Sequence, residues 1–321
     1  MWLCLLFTML AHHCGRAADS WSMAAAICSD YGQGPSVALC LVGSVRTLTK
    51  PLVYRSWRHH FVESLGAEVD VFAHLEIQDA GRYKAPDQDL ANESAVMAAK
   101  VALDYIAGGR LRKAELLRNG TIYRENPRCR FFEPKHAHVL NGLVSWRRAI
   151  SNLWHFGAAK RCLDLIEQTE RDERAQRYDW IVRSRPDLVW LRPVDPYCFF
   201  ASAGTHVYLH RDFIFLIPRT AADIVLRTPY REYYRCRDDR TMPGRTGIED
   251  YWRKHFILHQ VQTVDTLSHR HGPWAMLPVV IAIETGGAYD ARVEEPPESR
   301  QRNYCRDSVK ADDGSTEFCL S

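Results

Sequence analysis

Several patterns that mark familiar functional classes are missing from this chain of 321 residues. No Gly-x-Gly-x-x-Gly fingerprint and no Gly-x-x-x-x-Gly-Lys loop occurs, which argues against a dinucleotide-dependent oxidoreductase and a P-loop NTPase. No two cysteines have Cys-x-x-Cys spacing, so neither a zinc ribbon nor a thioredoxin-like motif is indicated. No Gly-x-Ser-x-Gly elbow is present, which leaves a serine hydrolase without support.

An excess of charge of one sign is missing as well. Lysine and arginine number 42 against 39 aspartates and glutamates, so the formal net charge is only +3. Because a nucleic-acid surface needs a concentrated basic patch, no nucleic-acid partner is expected. Hydrophobic residues make up 46% of the chain, which is typical of a globular protein with one large core or two joined halves.

The apolar stretch at the start of the chain, Trp2 to Leu10, is far shorter than the ~20 residues of a membrane-spanning helix. Small residues follow at Gly15, Ala17 and Ala18, which predicts a cleaved signal peptide over residues 1–18. No Lys or Arg precedes the apolar stretch, so a retained, partly buried segment is the alternative. Membrane contact is expected only through this segment, if it is uncleaved.

The remaining cysteines form an even set of eight, which fits disulfides in an oxidising compartment, although their pairing is not readable from sequence. Cys40 lies in an apolar run and has a buried thiol as its alternative. Glycosylation acceptor triplets begin at Asn92 and Asn119. These features predict the lumen of the secretory pathway (Golgi or ER), or secretion. The polar tail, residues 291–321, holds two cysteines and is predicted to be tied down by a disulfide.

Continuous apolar runs alternate with helical patterns along the chain. The run Val37 to Val42 ends at Gly43 and predicts a strand buried on both faces of a mainly parallel sheet. A second strand is predicted at Val69 to His74, after a helical segment, and a long helix from Asn141 to about Arg174. The charged, Gly- and Pro-containing stretch 77–135 is interpreted as an insertion. The alternation predicts an α/β fold with a mainly parallel sheet flanked by helices.

Charged residues follow the apolar strand that begins near Tyr178. Arg183, Arg185 and Asp187 come at its C-terminal end, where open α/β sheets place their ligands. Asp212 lies between two further apolar strands, predicted at 205–209 and 213–217. Glu249 and Asp250 open a predicted helix.

The order of these pieces over residues 36 to 265 resembles the GT-A fold of nucleotide-sugar transferases, and more narrowly the glycosyltransferase-like proteins of bacterial and algal polysaccharide synthesis. The resemblance rests on short motifs and implies a GT-A-like, Rossmann-like domain over residues 36–290. Its motifs are Gly43-Ser44-Val45-Arg46-Thr47, Asp70-Val71-Phe72, Arg183-Ser184-Arg185-Pro186-Asp187-Leu188, Asp212-Phe213 and Glu249-Asp250.

The resemblance implies a diphosphate site. Arg46, Arg183 and Arg185 would neutralise the diphosphate of a nucleoside diphosphate sugar by bidentate contacts, and Asp70 would receive the ribose or base. GT-A enzymes usually hold Mn²⁺ or Mg²⁺ with Asp-x-Asp, whereas this chain keeps only the second acid, Asp187, so dependence on Mn or Mg is doubtful. Asp187 would hold a metal or a sugar hydroxyl. The alternative is a structural ion pair between Asp187 and either Arg183 or Arg185.

The resemblance further implies that Asp212 positions substrate and that Glu249 or Asp250 is the base that deprotonates the acceptor. The alternative for Asp70 and Asp212 is an ordinary turn residue without a functional role. The alternative for Glu249 and Asp250 is that the helix dipole favours acidic residues in the first turn of a helix. The expected activity is transfer of a sugar to a glycan or protein acceptor. Two alternatives are a non-catalytic relative that binds a glycan or a partner, and an unrelated secreted structural α/β protein.

Histidine pairs with ligand-like spacing occur at His136-x-His138, His255-x-x-x-His259 and His269-x-His271. No Glu joins His255 and His259 in a zincin pattern, and histidines close in sequence are commonly polar surface. The sequence therefore does not predict a metal site at these histidines.

Overall fold

The computed structural model describes residues 34–45, 47–77, 93–118, 146–201, 205–234, 248–265, 279–285, 288–292, 309–310 and 316–317. Arg46, the predicted signal peptide and both glycosylation acceptors lie outside these residues. No helix in the described part of the chain combines the length and the apolar character that crossing a membrane requires.

Strands and helices alternate through the first two thirds of the chain. The strands are β1 (Ser36–Ser44), β2 (Glu68–Glu76), β3 (Leu111–Leu117), β4 (Trp180–Ser184), β5 (Leu188–Trp190), β6 (Val207–His210), β7 (Ile214–Pro218), β8 (Thr263–Asp265), β9 (Val279–Thr285), β10 (Ala288–Arg292), β11 (Val309–Lys310) and β12 (Thr316–Glu317). The helices are α1 (Pro51–Ser56), α2 (Glu93–Ala107), α3 (Trp146–Asp172), α4 (Cys198–Ala201), α5 (Thr228–Tyr234) and α6 (Ile248–Leu258). π-Helical turns follow α1 at Trp57–Val62 and precede α5 at Asp223–Arg227, after a short 3₁₀ turn at Arg219–Ala221.

Seven strands form the central sheet in the spatial order β3-β2-β1-β4-β7-β6-β8. The strands β3, β2, β1 and β4 are mutually parallel, β7 runs antiparallel to both of its neighbours, and β6 and β8 are parallel. A second sheet has the order β10-β9-β5, and β11 pairs with β12. The predicted α/β class, with a mainly parallel sheet flanked by helices, is confirmed.

The central sheet is buried on both faces, as its apolar strands require. In β1, Leu39 and Leu41 point into the core cluster that α1 and α2 cover, whereas Ala38 and Cys40 point into the cluster covered by α3, α5 and α6. Alternate residues of a strand face opposite sides, so one continuous apolar run builds two cores.

The stretch interpreted as an insertion contributes in part to the scaffold. Helix α2 buries one face against the sheet, and β3 pairs in parallel with β2 as the edge strand. β3 alternates exposed and half-buried residues and carries Arg112, Lys113 and Glu115. Because an edge strand has one open side, charged residues are suited to it and weaken its apolar signal in the sequence.

Helix α3 crosses the sheet beside β1, and a disulfide links the two elements. Cys40 of β1 is bonded to Cys162 of α3, with a Cα–Cα distance of 6.2 Å. Cys40 is therefore not the free thiol that was its alternative. The bond closes a sequence separation of 122 residues and fixes the long helix to the central strand.

Candidate functional site

The chain changes sheets directly after Arg183 and Ser184, at the C-terminal end of β4. β4 belongs to the central sheet, whereas β5, only three residues later, pairs with β9 in the second sheet. The intervening residues Arg185, Pro186 and Asp187 therefore lie at the edge where the parallel strands end. This is the edge at which doubly wound sheets bind their ligands.

The turn between β6 and β7 reaches the same edge, because β7 runs antiparallel to β4. The backbone N–H of Arg185 donates to the carbonyl oxygen of Phe213 over 2.9 Å. The turn itself closes through the N–H of Phe213, which donates to the carbonyl of His210 at 3.1 Å, while Arg211 adopts a φ of 52°. The structure thus brings residues 183–187 and 211–213 together.

Arg183 is a buried cation at the centre of this group, with only 1% of its surface exposed. Its Nη1 donates to the carbonyl oxygen of Asp212, and its guanidinium lies 5.5 Å from the ring centroid of Phe215. Its Nε has no hydrogen-bond partner, and no carboxylate of the described residues forms a salt bridge with it. Burial lowers the pKa of Arg183 to about 10, against the opposing effect of the Asp212 carboxylate, so the side chain is charged at neutral pH.

Arg185 and Asp187 form a bidentate ion pair. Nε and Nη2 of Arg185 donate to the two carboxylate oxygens of Asp187 over 2.9 and 2.7 Å. Asp187 is 2% exposed, and the guanidinium of Arg185 lies 5.2 Å from the ring centroid of Phe213. The structural ion pair that was the alternative for these residues is present, which leaves a further ligand role untested.

The donor set around Asp187 does not fit a bound Mn²⁺ or Mg²⁺. Both of its oxygens accept from the Arg185 guanidinium, and these metals require several oxygen ligands. In the part of the chain that the structure describes, the one grouping of three side chains able to hold an ion is Glu232, His255 and His259. The positive charge beside Asp187 is that of Arg183 and Arg185.

Gly43, near the end of β1, allows the Arg185-Pro186-Asp187 turn to approach the sheet. Its φ is +139°, and a Cβ at this position would lie 3.0 Å from Cδ of Pro186.

We expect Gly43→Ala to lower the free energy of unfolding by about 1–3 kcal/mol, because the backbone conformation and the contact with Pro186 both disfavour a side chain at this position. Urea unfolding would measure this, with Gly109→Ala as the control because its surroundings are open although its φ is also positive. If both variants lost the same free energy of unfolding, the effect would come from backbone conformation alone, and the contact with Pro186 would contribute nothing.

Asp70 does not join this group. Its fully buried carboxylate accepts from the Tyr178 hydroxyl at 2.7 Å and from Arg110 Nε at 2.9 Å, and it pairs with Arg112 at 3.0 Å and Arg174 at 3.1 Å. Burial raises the pKa of Asp70, but these hydrogen bonds and positive charges outweigh it and leave the pKa below its ordinary value. These contacts are those of a structural carboxylate, and the nucleotide-binding role of Asp70 stays a prediction.

The two acids predicted as catalytic bases begin α6, with Glu249 exposed. The helix packs on the face of the sheet that carries Arg183, since the Trp252 ring contacts Phe215 at a centroid distance of 5.0 Å. The role of Glu249 as a base stays a prediction. The same holds for Asp250, whose side chain is outside the described atoms, and for Arg46.

Two residues of this edge were given no role by the sequence interpretation, although Phe213 belongs to the Asp212-Phe213 motif. Phe213 offers its ring to the guanidinium groups of Arg185 and Arg211, the latter at 5.7 Å. Glu76 ends β2 at the same edge with 5% exposure, and its carbonyl accepts from the N–H of Val45 at 2.8 Å. An acid that ends an apolar strand is the signal that would have indicated Glu76.

Comparison with known proteins adds little at the level of sequence. No protein-family model matches the chain, and no curated protein matches it. Among solved structures, mouse xyloside xylosyltransferase 1 in its apo form aligns over 77% of this chain and 96% of its own, with 9% identity and a TM-score of 0.32. A superposition this loose assigns no role to any side chain, and the functional argument rests on the contacts described above.

Proposed function

We propose that this chain is a glycosyltransferase that transfers a sugar from a nucleoside diphosphate donor to a glycan or protein acceptor. The observation that carries the proposal is the Arg183 guanidinium, which is buried and charged, has an unpartnered Nε and forms no salt bridge within the described residues. A buried cation that no carboxylate contacts directly destabilises the protein, and an anion bound beside it would offset this cost.

The neighbouring groups suit a diphosphate better than a single carboxylate. Arg185 lies beside Arg183, is 18% exposed on its side chain, and has a planar fork that matches phosphate oxygens. A diphosphate that enters this edge would compete with Asp187 for the Arg185 guanidinium. The Asp187 carboxylate would then be released to accept a hydrogen bond from a sugar hydroxyl.

In the proposed reaction the acceptor oxygen forms a bond with the anomeric carbon of the donor sugar. The bond from that carbon to the diphosphate oxygen breaks, and its electron pair goes to the diphosphate. Arg183 and Arg185 stabilise this developing negative charge. Stabilisation of this kind is usually the largest single contribution to the rate enhancement of an enzyme. Glu249 or Asp250 takes the proton of the acceptor hydroxyl, and Asp212 positions the substrate.

Mn²⁺ or Mg²⁺ is not needed for charge neutralisation in this proposal, because two guanidinium groups already face the diphosphate. We further propose that the protein works in the lumen of the secretory pathway or is secreted. The Cys40–Cys162 disulfide supports this, since stable disulfides belong to oxidising compartments.

Titration with UDP and GDP by calorimetry, with and without Mn²⁺, tests the proposal. We expect binding of at least one diphosphate, and a decrease in affinity of about 10- to 100-fold for Arg185→Gln, because one or two charge-assisted hydrogen bonds are lost. Arg55→Gln is the matched control, since Arg55 is an exposed arginine of α1. Its affinity should equal that of the wild type.

Absence of binding for every diphosphate tested would overturn the proposal. Binding without turnover over a panel of nucleotide sugars and acceptors would instead support the non-catalytic, glycan- or partner-binding alternative. An affinity that depends entirely on added Mn²⁺ would contradict charge neutralisation by the arginines.

A further inference from the structure

A cluster of metal-ligand side chains lies outside the proposed diphosphate site. Glu232 belongs to α5, His255 to α6, and His259 follows the end of α6. Each residue offers one ligand atom, and these atoms all lie within 4.8 Å of one another. The sequence shows only the His255-x-x-x-His259 spacing, whereas the third side chain comes from a different helix.

The distances between ligand atoms match a tetrahedral ion. His255 Nδ1 and His259 Nε2 lie 3.5 Å and 3.4 Å from the same oxygen of Glu232, Oε2. Zinc binds imidazole nitrogen and carboxylate oxygen at about 2.0–2.2 Å, which separates neighbouring ligands of a tetrahedron by roughly 3.3–3.6 Å. Both nitrogen–oxygen distances therefore agree with the spacing that one zinc ion would impose, and the two nitrogens lie within 4.8 Å of each other.

Hydrogen bonding fixes the tautomer of His255 in the form that binds metals. Its Nε2 lies 2.9 Å from the carbonyl oxygen of Ile224, which only accepts, so Nε2 carries the hydrogen. The lone pair of Nδ1 is thereby left facing the Glu232 carboxylate. A backbone carbonyl that accepts from the non-ligating nitrogen is the usual support of a metal-bound histidine.

This arrangement is unfavourable unless a cation lies between the two acceptors. A divalent ion would satisfy both groups at once.

We propose that Glu232, His255 and His259 bind one zinc ion, through a carboxylate oxygen, Nδ1 and Nε2 respectively. Two imidazoles and a carboxylate suit zinc, whereas Mn²⁺ and Mg²⁺ favour sites built from oxygen. The side chains of His259 and Glu232 are 25% and 26% exposed, which gives the ion an entry path and leaves a fourth position for water. The ion ties α5 to the C-terminal end of α6.

The proposed zinc site is distinct from the proposed diphosphate site. The rings of Phe215 and Trp252 separate the two, because Arg183 lies over Phe215, Phe215 contacts Trp252, and Trp252 contacts His255 at a centroid distance of 6.1 Å. Zinc is therefore expected to stabilise the helices on this face rather than to touch a substrate.

Titration of the disulfide-intact full chain with Zn²⁺ after dialysis against EDTA tests this inference. We expect one equivalent to bind at submicromolar Kd and to raise Tm, and Co²⁺ to give the intense visible absorption of a four-coordinate ion. His259→Gln and Glu232→Gln should each weaken this binding by at least about 100-fold. Both residues are partly exposed, so circular dichroism should show that the variants are folded.

His59→Gln is the matched control. His59 also pairs with a carboxylate, Glu63, at 2.9 Å, but its remaining nitrogen lies 3.1 Å from the Tyr105 hydroxyl instead of a third ligand. Its zinc affinity should equal that of the wild type. The inference is overturned if the wild type binds no zinc more tightly than about 10 μM, or if the Glu232 and His259 variants bind as the control does. In that case the cluster is an ordinary His–Glu ion pair.

Discussion

Replacing Arg183 by lysine is expected to lower the rate of the proposed glycosyl transfer by about 10²- to 10³-fold, the usual effect of removing one fixed donor that stabilises a developing negative charge. Lysine keeps the positive charge but loses the planar fork and the geometry of the Nη1 hydrogen bond to the Asp212 carbonyl. Release of nucleoside diphosphate from a panel of UDP- and GDP-linked sugars would measure the rate.

Arg253→Lys is the control for this experiment, because Arg253 is an exposed residue of α6 and should tolerate the change. Unchanged turnover in Arg183→Lys, with the fold verified, would contradict the role given to the buried guanidinium. Loss of turnover in both variants would point to damage of α6 or of the fold, not to the diphosphate contact.

Asp70→Asn is expected to lower the free energy of unfolding by about 3 kcal/mol at pH 7, since it removes the charge of a fully buried carboxylate that pairs with partly exposed arginines. Arg110, Arg112 and Arg174 lose their common partner, and the Tyr178 hydroxyl loses a charged acceptor. Chemical denaturation would measure the loss. Asp104→Asn, on the exposed side of α2, should change stability by less than about 0.5 kcal/mol.

The pH dependence gives a second measurement of the same cluster. The folded-state pKa of Asp70 lies below its ordinary value of 3.8, so its charge stabilises the protein fully above about pH 4. That contribution is lost as the pH falls through the lowered pKa. The difference between wild type and Asp70→Asn should therefore stay constant from pH 7 to about 5 and shrink below pH 4. A difference independent of pH would contradict an ionised Asp70 in the folded protein.

The core of the sheet could be predicted because its signals are local. β1 and β2 are continuous apolar runs, and the stripe of Leu153, Leu165 and Ile166 marks the buried side of α3. β3 was missed because an edge strand with charged residues has no such run. The sequence did not indicate that β5 pairs with β9, because this pairing joins residues about 90 positions apart in the chain.

The site was only partly predictable, for the same reason. The strand end at 183–187 follows from local sequence, but the contact of Arg183 with the Asp212 carbonyl depends on strand order. Asp70 lies at the start of an apolar strand, a position that also suits a ligand-binding residue. Its ion pairs with Arg110 and Arg174 form only in the folded chain, so the sequence did not indicate them. Likewise the third member of the His255 and His259 cluster, Glu232, becomes visible only when α5 packs beside α6.

The reversal of β7 has a consequence for how such a protein could change what it binds. Because β7 starts where β4 ends, one main-chain carbonyl of the three-residue turn 211–213 accepts from the Arg183 guanidinium, and another accepts from the main-chain N–H of Arg185. Adding or removing one turn residue would move these carbonyls, and the Arg183 guanidinium with them, while the parallel strands keep their register. Under the proposed function, the length of this turn could therefore alter which diphosphate sugar the protein binds while the parallel part of the sheet stays the same.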